Sequence, residues 1–346
     1  MFDLNDWMQR WNSALREQHD LLFDDAIKGL KSEYAEIISC PICGSTKAKL
    51  WFEKDWFYYW RCNKCSMVYM NPRMNLAATH SFYNSNVNKI YNETKFDKTS
   101  PSTEMDDQIN YGNLKLLKQI SGKENGMLLE IGSAKGFFLI KAKEAGFDVY
   151  GLELNQPNYE YSRNILGDCI MDVDLFDVKF EDNKFDVVYM RDVIEHIANP
   201  LEFLKEINRI TKPGGVIFLE THNIDSWINR SARENHTVIF GFEHPNHWSP
   251  KTLSLALQKT GYQVINVTHT SLDCTLAEMR RYMLQPGFTT IYPKPPARSR
   301  LIMAKIIARL YGFSIMSKVD RIMPRLANQF KAGSTMKVIA RKNINQ

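Results

Sequence analysis

Leu128-Leu129-Glu130-Ile131-Gly132-Ser133-Ala134-Lys135-Gly136 is the stretch whose reading decides the fold. Leu128 to Ile131 read as a buried strand, and Phe137, Phe138, Ile140 and Lys141 onward have helical spacing. Between them Gly132 and Gly136 stand where the backbone must turn sharply and let a ligand approach with no Cβ in the way. The spacing is E-x-G-x-x-x-G, which differs from the G-x-G-x-x-G of a dinucleotide site with its pyrophosphate over the helix N-terminus. About twenty residues on, a second strand, Val149-Tyr150-Gly151-Leu152-Glu153, ends in an acid. In a doubly wound α/β sheet an acid at that point is placed to take a ribose diol.

Working outward, strands and helices alternate from motif to motif as far as Gly261-Tyr262-Gln263-Val264-Ile265, the pattern of a parallel sheet with right-handed crossovers. The chain of 346 residues has room for one sizeable domain plus appendages. Its 44% apolar and 24% charged content fits a globular protein, not a disordered one. No apolar run reaches the roughly 18 residues of a spanning helix, and the acidic start Met1-Phe2-Asp3-Leu4-Asn5-Asp6 has no signal-peptide core. The expected location is the cytoplasm, with peripheral contact at the inner membrane face as a further option. The net charge of +5 hides an asymmetry. From Pro286 onward twelve Lys and Arg face Asp320 alone, a net +11, which leaves the preceding residues at −6. Such a split points to an anionic partner near that end or to a solvated basic face.

Five segments are expected. Residues 1–39 look helical, with Trp7, Trp11, Leu15, Leu21, Leu22, Ile27 and Leu30 at helix-like spacing. Residues 40–72 hold Cys40-Pro41-Ile42-Cys43 and Cys62-Asn63-Lys64-Cys65, a C-x2-C-x18-C-x2-C pattern with the spacing of a tetrahedral zinc ribbon. Two aromatic strands between the pairs flank the charged turn Glu53-Lys54-Asp55. Four thiolates leave no open coordination position, so the Zn2+ is read as structural, holding together a module too small to do so by burial. Cys169 and Cys274 stand alone and read as small core residues. Residues 73–105 connect, 106–285 form the α/β core, and 286–346 carry a basic helical insertion before a final strand, Thr335 to Arg341. In that insertion Leu301, Ile302, Ile306, Ile307 and Leu310 make one apolar face. Ile315, Met316, Val319, Ile322, Met323 and Leu326 make another, opposite Lys318, Arg321 and Arg325. Pro324 kinks or ends the second helix.

The leading stretch and its acid, followed in order by Phe185-Asp186-Val187-Val188, Val193-Ile194-Glu195-His196 and Lys212-Pro213-Gly214-Gly215, resemble the motifs of class I S-adenosylmethionine (SAM) methyltransferases. Ala134 departs from the third glycine common in that family. The resemblance implies an α/β, Rossmann-like, doubly wound and mostly parallel sheet whose last strand enters antiparallel beside the sixth. It also implies SAM as cofactor. Glu130, Gly132, Ser133, Ala134 and Gly136 would line its methionine part, and Glu153, with Leu154 beside it, its ribose. Asp174 with Leu175 would read the adenine, Asp172 being the alternative, and Met190 and Arg191 would lie by the sulfonium. The connector would cap the cofactor.

An acceptor with a proton to lose needs a base, and histidine is poised for it near neutral pH. His222, His244 and His247 are the acceptor-side candidates, because strand C-terminal ends face the crevice of such sheets. His196 is a fourth candidate or a scaffold residue. The whole architecture resembles bacterial methyltransferases of glycan and secondary-metabolite pathways, which implies a small anionic acceptor, a nucleotide- or lipid-linked sugar. Two other readings stand beside it. One is an RNA methyltransferase whose aromatic, basic ribbon stacks bases. The other is a non-catalytic protein that docks on a membrane through its basic helices.

Overall fold

The computed structural model describes residues 4–95, 102–270, 290–292, 302–307 and 329–344, with 281, 284, 322, 325 and 326 between them. In chain order the main elements begin with α1 (Leu4–Leu22), β1 (Ala48–Lys54), β2 (Phe57–Cys62), β3 (Val68–Met70), α2 (Leu76–Tyr83) and α3 (Asn86–Lys95). There follow α4 (Ser102–Ser121), β4 (Gly126–Ile131), α5 (Phe137–Glu144), β5 (Phe147–Leu152), α6 (Gln156–Leu166), β6 (Ile170–Met171) and β7 (Phe185–Arg191). The series closes with α7 (Pro200–Ile210), β8 (Thr211–His222), α8 (Trp227–Ala232), β9 (Asn246–His247), α9 (Pro250–Lys259), β10 (Tyr262–Thr270) and β11 (Thr335–Lys342).

The chain divides into two compact units, neither of them continuous in sequence. One comprises Met1–Asp97, His222–Ser249 and His269–Thr335; the other comprises Lys98–Thr221, Pro250–Thr268 and Met336–Gln346. The excursion His222–Ser249 therefore leaves the α/β unit after a strand and returns to it at a helix.

The α/β unit is built on seven strands in the order β6-β5-β4-β7-β8-β11-β10. The pairs from β6 through to β8 are parallel, and β11 enters between β8 and β10. This is the doubly wound sheet expected from the alternating pattern. Leu128, Val187, Tyr189, Val216, Phe218 and Ile339 on its strands are buried with Phe138 and Leu139 of α5 in one core. Asp186 of the Phe185-Asp186-Val187-Val188 motif ties strand starts together. Its carboxylate accepts the Met127 N–H (3.0 Å) and the Lys212 ammonium (2.7 Å). Val193 to Ile197 form a turn, and α7 begins only at Pro200, whose ring suits the first helical turn.

The other unit holds a four-stranded antiparallel sheet in the order β9-β3-β2-β1. Beneath it Trp11, Leu15 and Leu22 of α1 pack with Phe57, Tyr59 and Val68 and with Ile239 and Phe242 from the excursion. The ribbon strands thus share a core with distant parts of the chain and do not rest on metal alone. Helical spacing misread residues 23–36. Short pairs form there instead, Phe23–Asp24 on Gly29–Leu30 and Ala35–Glu36 on Arg73–Met74. The cause is local: the Asp24 carboxylate accepts the Ala26 N–H at 2.7 Å and Lys28 takes φ +50°, which ends the helix.

In the basic insertion, 302–307 are helical, but Ile302 and Ile306 are exposed while Ala304 and Ile307 are buried. The expected apolar face is therefore split at this helix. Leu301, Leu310, Ile315, Met316, Val319, Met323, Lys318, Arg321, Pro324 and Cys274 lie outside the described residues.

Candidate functional site

The first feature is the turn between β4 and α5. Gly132 and Gly136 take φ +71° and +74°, and Ala134 between them takes +46°. A Cβ on Gly132 would stand 2.7 Å from Val193 Cγ2, and one on Gly136 would stand 2.8 Å from Leu166 Cδ1. Glycine is required at both on two counts, backbone angle and space. Ala134 adopts the left-handed angle at some strain where a glycine would adopt it freely. The turn is pinned from the neighbouring strand. Gly132 and Ser133 N–H groups donate to the Leu152 carbonyl (2.9 and 3.0 Å), and the Ala134 N–H donates to Glu153 Oε2 (2.7 Å). The other oxygen of Glu153 accepts the Asn155 N–H at 2.7 Å. Glu153 is thus fixed at the end of β5 against the glycine turn, as its sequence position suggested.

Glu130, one pleat before the turn, is buried. Its Oε2 has no hydrogen-bond partner among the described residues. Burial pushes its carboxyl well above the usual range, the Arg191 guanidinium opposes the shift, and the Glu153 charge adds to it. An orphaned carboxylate oxygen in such a place is costly, so it calls for a cationic or hydrogen-bonding occupant. Ser133 Oγ is buried as well, and has no hydrogen-bond partner among the described residues. Arg191 at the end of β7 donates to Asn110 Oδ1 at 3.2 Å, and Met190 before it is fully buried. Leu154 is exposed, Leu175 is buried, and Asp174 caps its own turn by accepting the Phe176 N–H at 2.9 Å. Asp172 is bonded to the Gln156 amide.

Three of the four candidate histidines come together in the other unit. His222 Nε2 and His247 Nδ1 are 2.9 Å apart and buried, so one proton is shared between them. The His222 and His244 rings lie 5.4 Å apart between centroids. Burial, with the neighbouring His222, His244 and Lys54 charges, holds His247 well below the usual imidazole range and keeps it neutral. The His247 Nε2 and the nearby Tyr59 hydroxyl are both buried without a partner among the described residues. His244 Nδ1 lies 2.8 Å from the Val238 carbonyl, which only accepts. Nδ1 therefore carries a proton. Lys54 is fully buried; its ammonium donates to the Ile239 carbonyl at 2.5 Å, and burial pushes it down to about 8. His196 lies in the α/β unit, in the turn after β7, with its N–H on the Val193 carbonyl (3.0 Å).

The third feature is the cysteine set. Cys40 and Cys65 Sγ are 3.5 Å apart, as are Cys43 and Cys62 Sγ, and all four lie within 4.8 Å of one another. Sulfurs around a tetrahedral zinc with bonds of about 2.3 Å stand roughly 3.8 Å apart, so this donor set fits that ion. Burial pushes the Cys40 thiol up, and the Cys65 thiol up to about 11. Cys169 is half-buried with its thiol on the Leu166 carbonyl (3.3 Å), the setting of a structural cysteine.

Sequence reasoning missed a buried polar group in the α/β unit. Asn113 of α4 donates to Glu220 Oε2 (2.5 Å) and to the Tyr189 hydroxyl (2.8 Å), and Tyr189 stacks on Phe138 at 3.7 Å. Nothing local in the sequence marks Asn113 as the partner of Glu220 and Tyr189.

Residues 105–267 match a methyltransferase domain model. The match spans just under half of the chain and begins after the cysteine sheet. The ubiquinone biosynthesis O-methyltransferase of Roseobacter denitrificans is 28% identical over 129 residues, 36% of this chain and 50% of that protein. The mitochondrial protein of the same name from Arabidopsis thaliana is 42% identical over 71 residues, 20% of each. The chain spans between a fifth and about three fifths of the length of the curated relatives it matches. A SAM-dependent methyltransferase structure from Archaeoglobus fulgidus aligns at TM-score 0.44 and 18% identity, covering 68% of this chain and 94% of that one.

Proposed function

We propose that the protein is a SAM-dependent methyltransferase acting on a small, negatively charged, carbohydrate-type acceptor. The observation that carries the reading is the glycine turn with its two acids, Glu130 orphaned below it and Glu153 clamped beside it. Those residues fit SAM. Glu130 offers a buried carboxyl whose ionised form a cationic group would stabilise, and Glu153 stands at the strand end, against the glycine turn, where the ribose diol is assigned. The turn with Gly132, Ala134 and Gly136 at positive φ is assigned to the methionine part. Leu175, with Asp174, is assigned to the adenine, Leu154 to the ribose beside Glu153, and Met190 and Arg191 to the reacting end.

When bound, SAM supplies a methyl already activated on a sulfonium. The protein's share is then to hold the acceptor and take its proton, and orientation alone is worth up to roughly 7–11 kcal/mol in favourable model reactions. The proton is assigned to His244, whose ring the Val238 carbonyl orients through Nδ1–H. His222 and the neutral His247 form the hydrogen-bonded pair that orients the cluster. The curated relatives are named O-methyltransferases, which supports a hydroxyl as the acceptor group. The cysteine set is assigned to one structural Zn2+.

The test is calorimetric titration of S-adenosylhomocysteine into the full chain, followed by transfer of labelled methyl from SAM to a panel of nucleotide sugars. Saturable micromolar binding and labelling of a sugar are expected. A folded protein that binds no S-adenosylhomocysteine would end the proposal.

A further inference from the structure

Lys49 on β1 and Arg61 on β2 stand directly opposite each other in the ladder. Like charges at such a position cost stability, so their pairing calls for an explanation. The register slips between Leu50 and Phe52, so Trp51 falls at the irregularity, a device that re-aims a side chain. The Arg61 guanidinium lies 4.6 Å from the Trp51 ring centroid and donates to Asp225 at 2.8 Å. Its Nε–H is buried with no partner among the described residues. Arg233 donates to the Trp51 carbonyl (2.8 Å), lies 6.0 Å from the same ring, and takes φ +51°, a conformation rare for an L residue. Strain of this kind gathers at ligand clamps.

With Arg230 of α8, these residues line a cleft of about 360 Å³, within the size range of small-ligand sites. Lys49, Arg61, Arg230 and Arg233 face Asp225 alone among its lining residues, a net +3. None of the six belongs to the glycine turn, the histidine cluster or the cysteine set. We propose that this cleft binds the diphosphate group of a small organic molecule. Guanidinium groups present planar forks that match phosphate oxygens two at a time, and Trp51 holds two of them at its ring. The charges converge around one aromatic ring in a bounded cleft. A groove for a nucleic-acid strand would instead run basic residues along successive stacking platforms. The cleft's use as the handle of the methyl acceptor rests on the methyltransferase reading; the binding does not.

The test is calorimetric titration of UDP and of inorganic pyrophosphate into the full chain, with S-adenosylhomocysteine titrated into the same samples. Saturable UDP binding is expected, weakened at least tenfold in Arg230→Gln and in Lys49→Gln, both exposed side chains, and lost in Arg61→Ala. Thermal melts check that each variant is folded; if Arg61→Ala is not, the two exposed variants decide. Pyrophosphate binding with the same sensitivity would support the phosphate assignment and place recognition on the phosphates. Several results would overturn the inference: no saturable binding of UDP or pyrophosphate by protein that binds S-adenosylhomocysteine, equal binding by wild type and both exposed variants, or a preference for a single-stranded RNA oligonucleotide with steep salt dependence. Protein that binds UDP with these sensitivities but no S-adenosylhomocysteine would keep the cleft and remove the methyltransferase reading.

Discussion

The glycine turn and the histidine cluster are made of opposite materials. The turn is backbone: two glycines and an alanine at positive φ, pinned by main-chain N–H groups on Leu152 and Glu153. The cluster is side chains, His222, His244 and His247, with His244 oriented by the carbonyl of Val238. A site made of backbone is written in a few consecutive residues and tolerates little change. A site made of side chains is assembled by the fold and can be retuned one residue at a time. On the proposed function, the comparison separates where binding would be fixed from where chemistry would be free to vary.

Removing metal ligands should have the largest effect on it. Cys40→Ser with Cys43→Ser is expected to lose one zinc equivalent per chain by metal analysis and to lower the melting temperature sharply, because a structural zinc is worth about 10–16 kcal/mol in isolated binding peptides. The shared core around Trp11 and Tyr59 should keep part of the unit folded. Next comes the base. His244→Gln is expected to lower kcat by about 10²–10⁴ with S-adenosylhomocysteine affinity unchanged, checked by steady-state kinetics and titration. An unchanged kcat would move the proton to another group and break the contrast drawn above.

Glu130→Gln should cut both ways. It removes a buried carboxyl whose ionised form burial disfavours, so the ligand-free protein should melt higher, while SAM affinity should fall about 10–100-fold for want of an ionisable partner. A rise in melting temperature with no loss of affinity would place the cofactor elsewhere. The smallest effect is the pH dependence of His247. Its folded-state pKa is lowered, so below about 6.5 the unfolded chain takes a proton that the native state refuses. Its contribution to stability is complete above that pH and is lost as the pH falls through the window, at up to about 1.4 kcal/mol per unit. Denaturant melts between pH 7.5 and 5 should show a shallower decline in His247→Asn than in wild type.

How much the sequence revealed follows the same contrast. Leu128 to Gly136 and the acid at Glu153 were legible because strand, turn and helix there are consecutive and the residue types are forced by φ and by space. The four cysteines were legible through their matched pairs. The meeting of His222 with His247 was not, because it depends on β9, a two-residue strand with no periodicity of its own. Asn113 was missed for a related reason: it reaches Tyr189 and Glu220 across 76 and 107 residues, and a helix with one amide on its face gives no sign of that. Residues 23–36 went astray because an Asp24 side-chain bond and one left-handed lysine outweighed apolar spacing.

Asn246 and His247 pair with Tyr69 and Val68, a few positions beyond Cys65. The floor beneath the imidazoles is thus an edge of the sulfur-bearing layer. On slow heating, turnover should die with the first of two melting events, while ellipticity from the parallel layer persists.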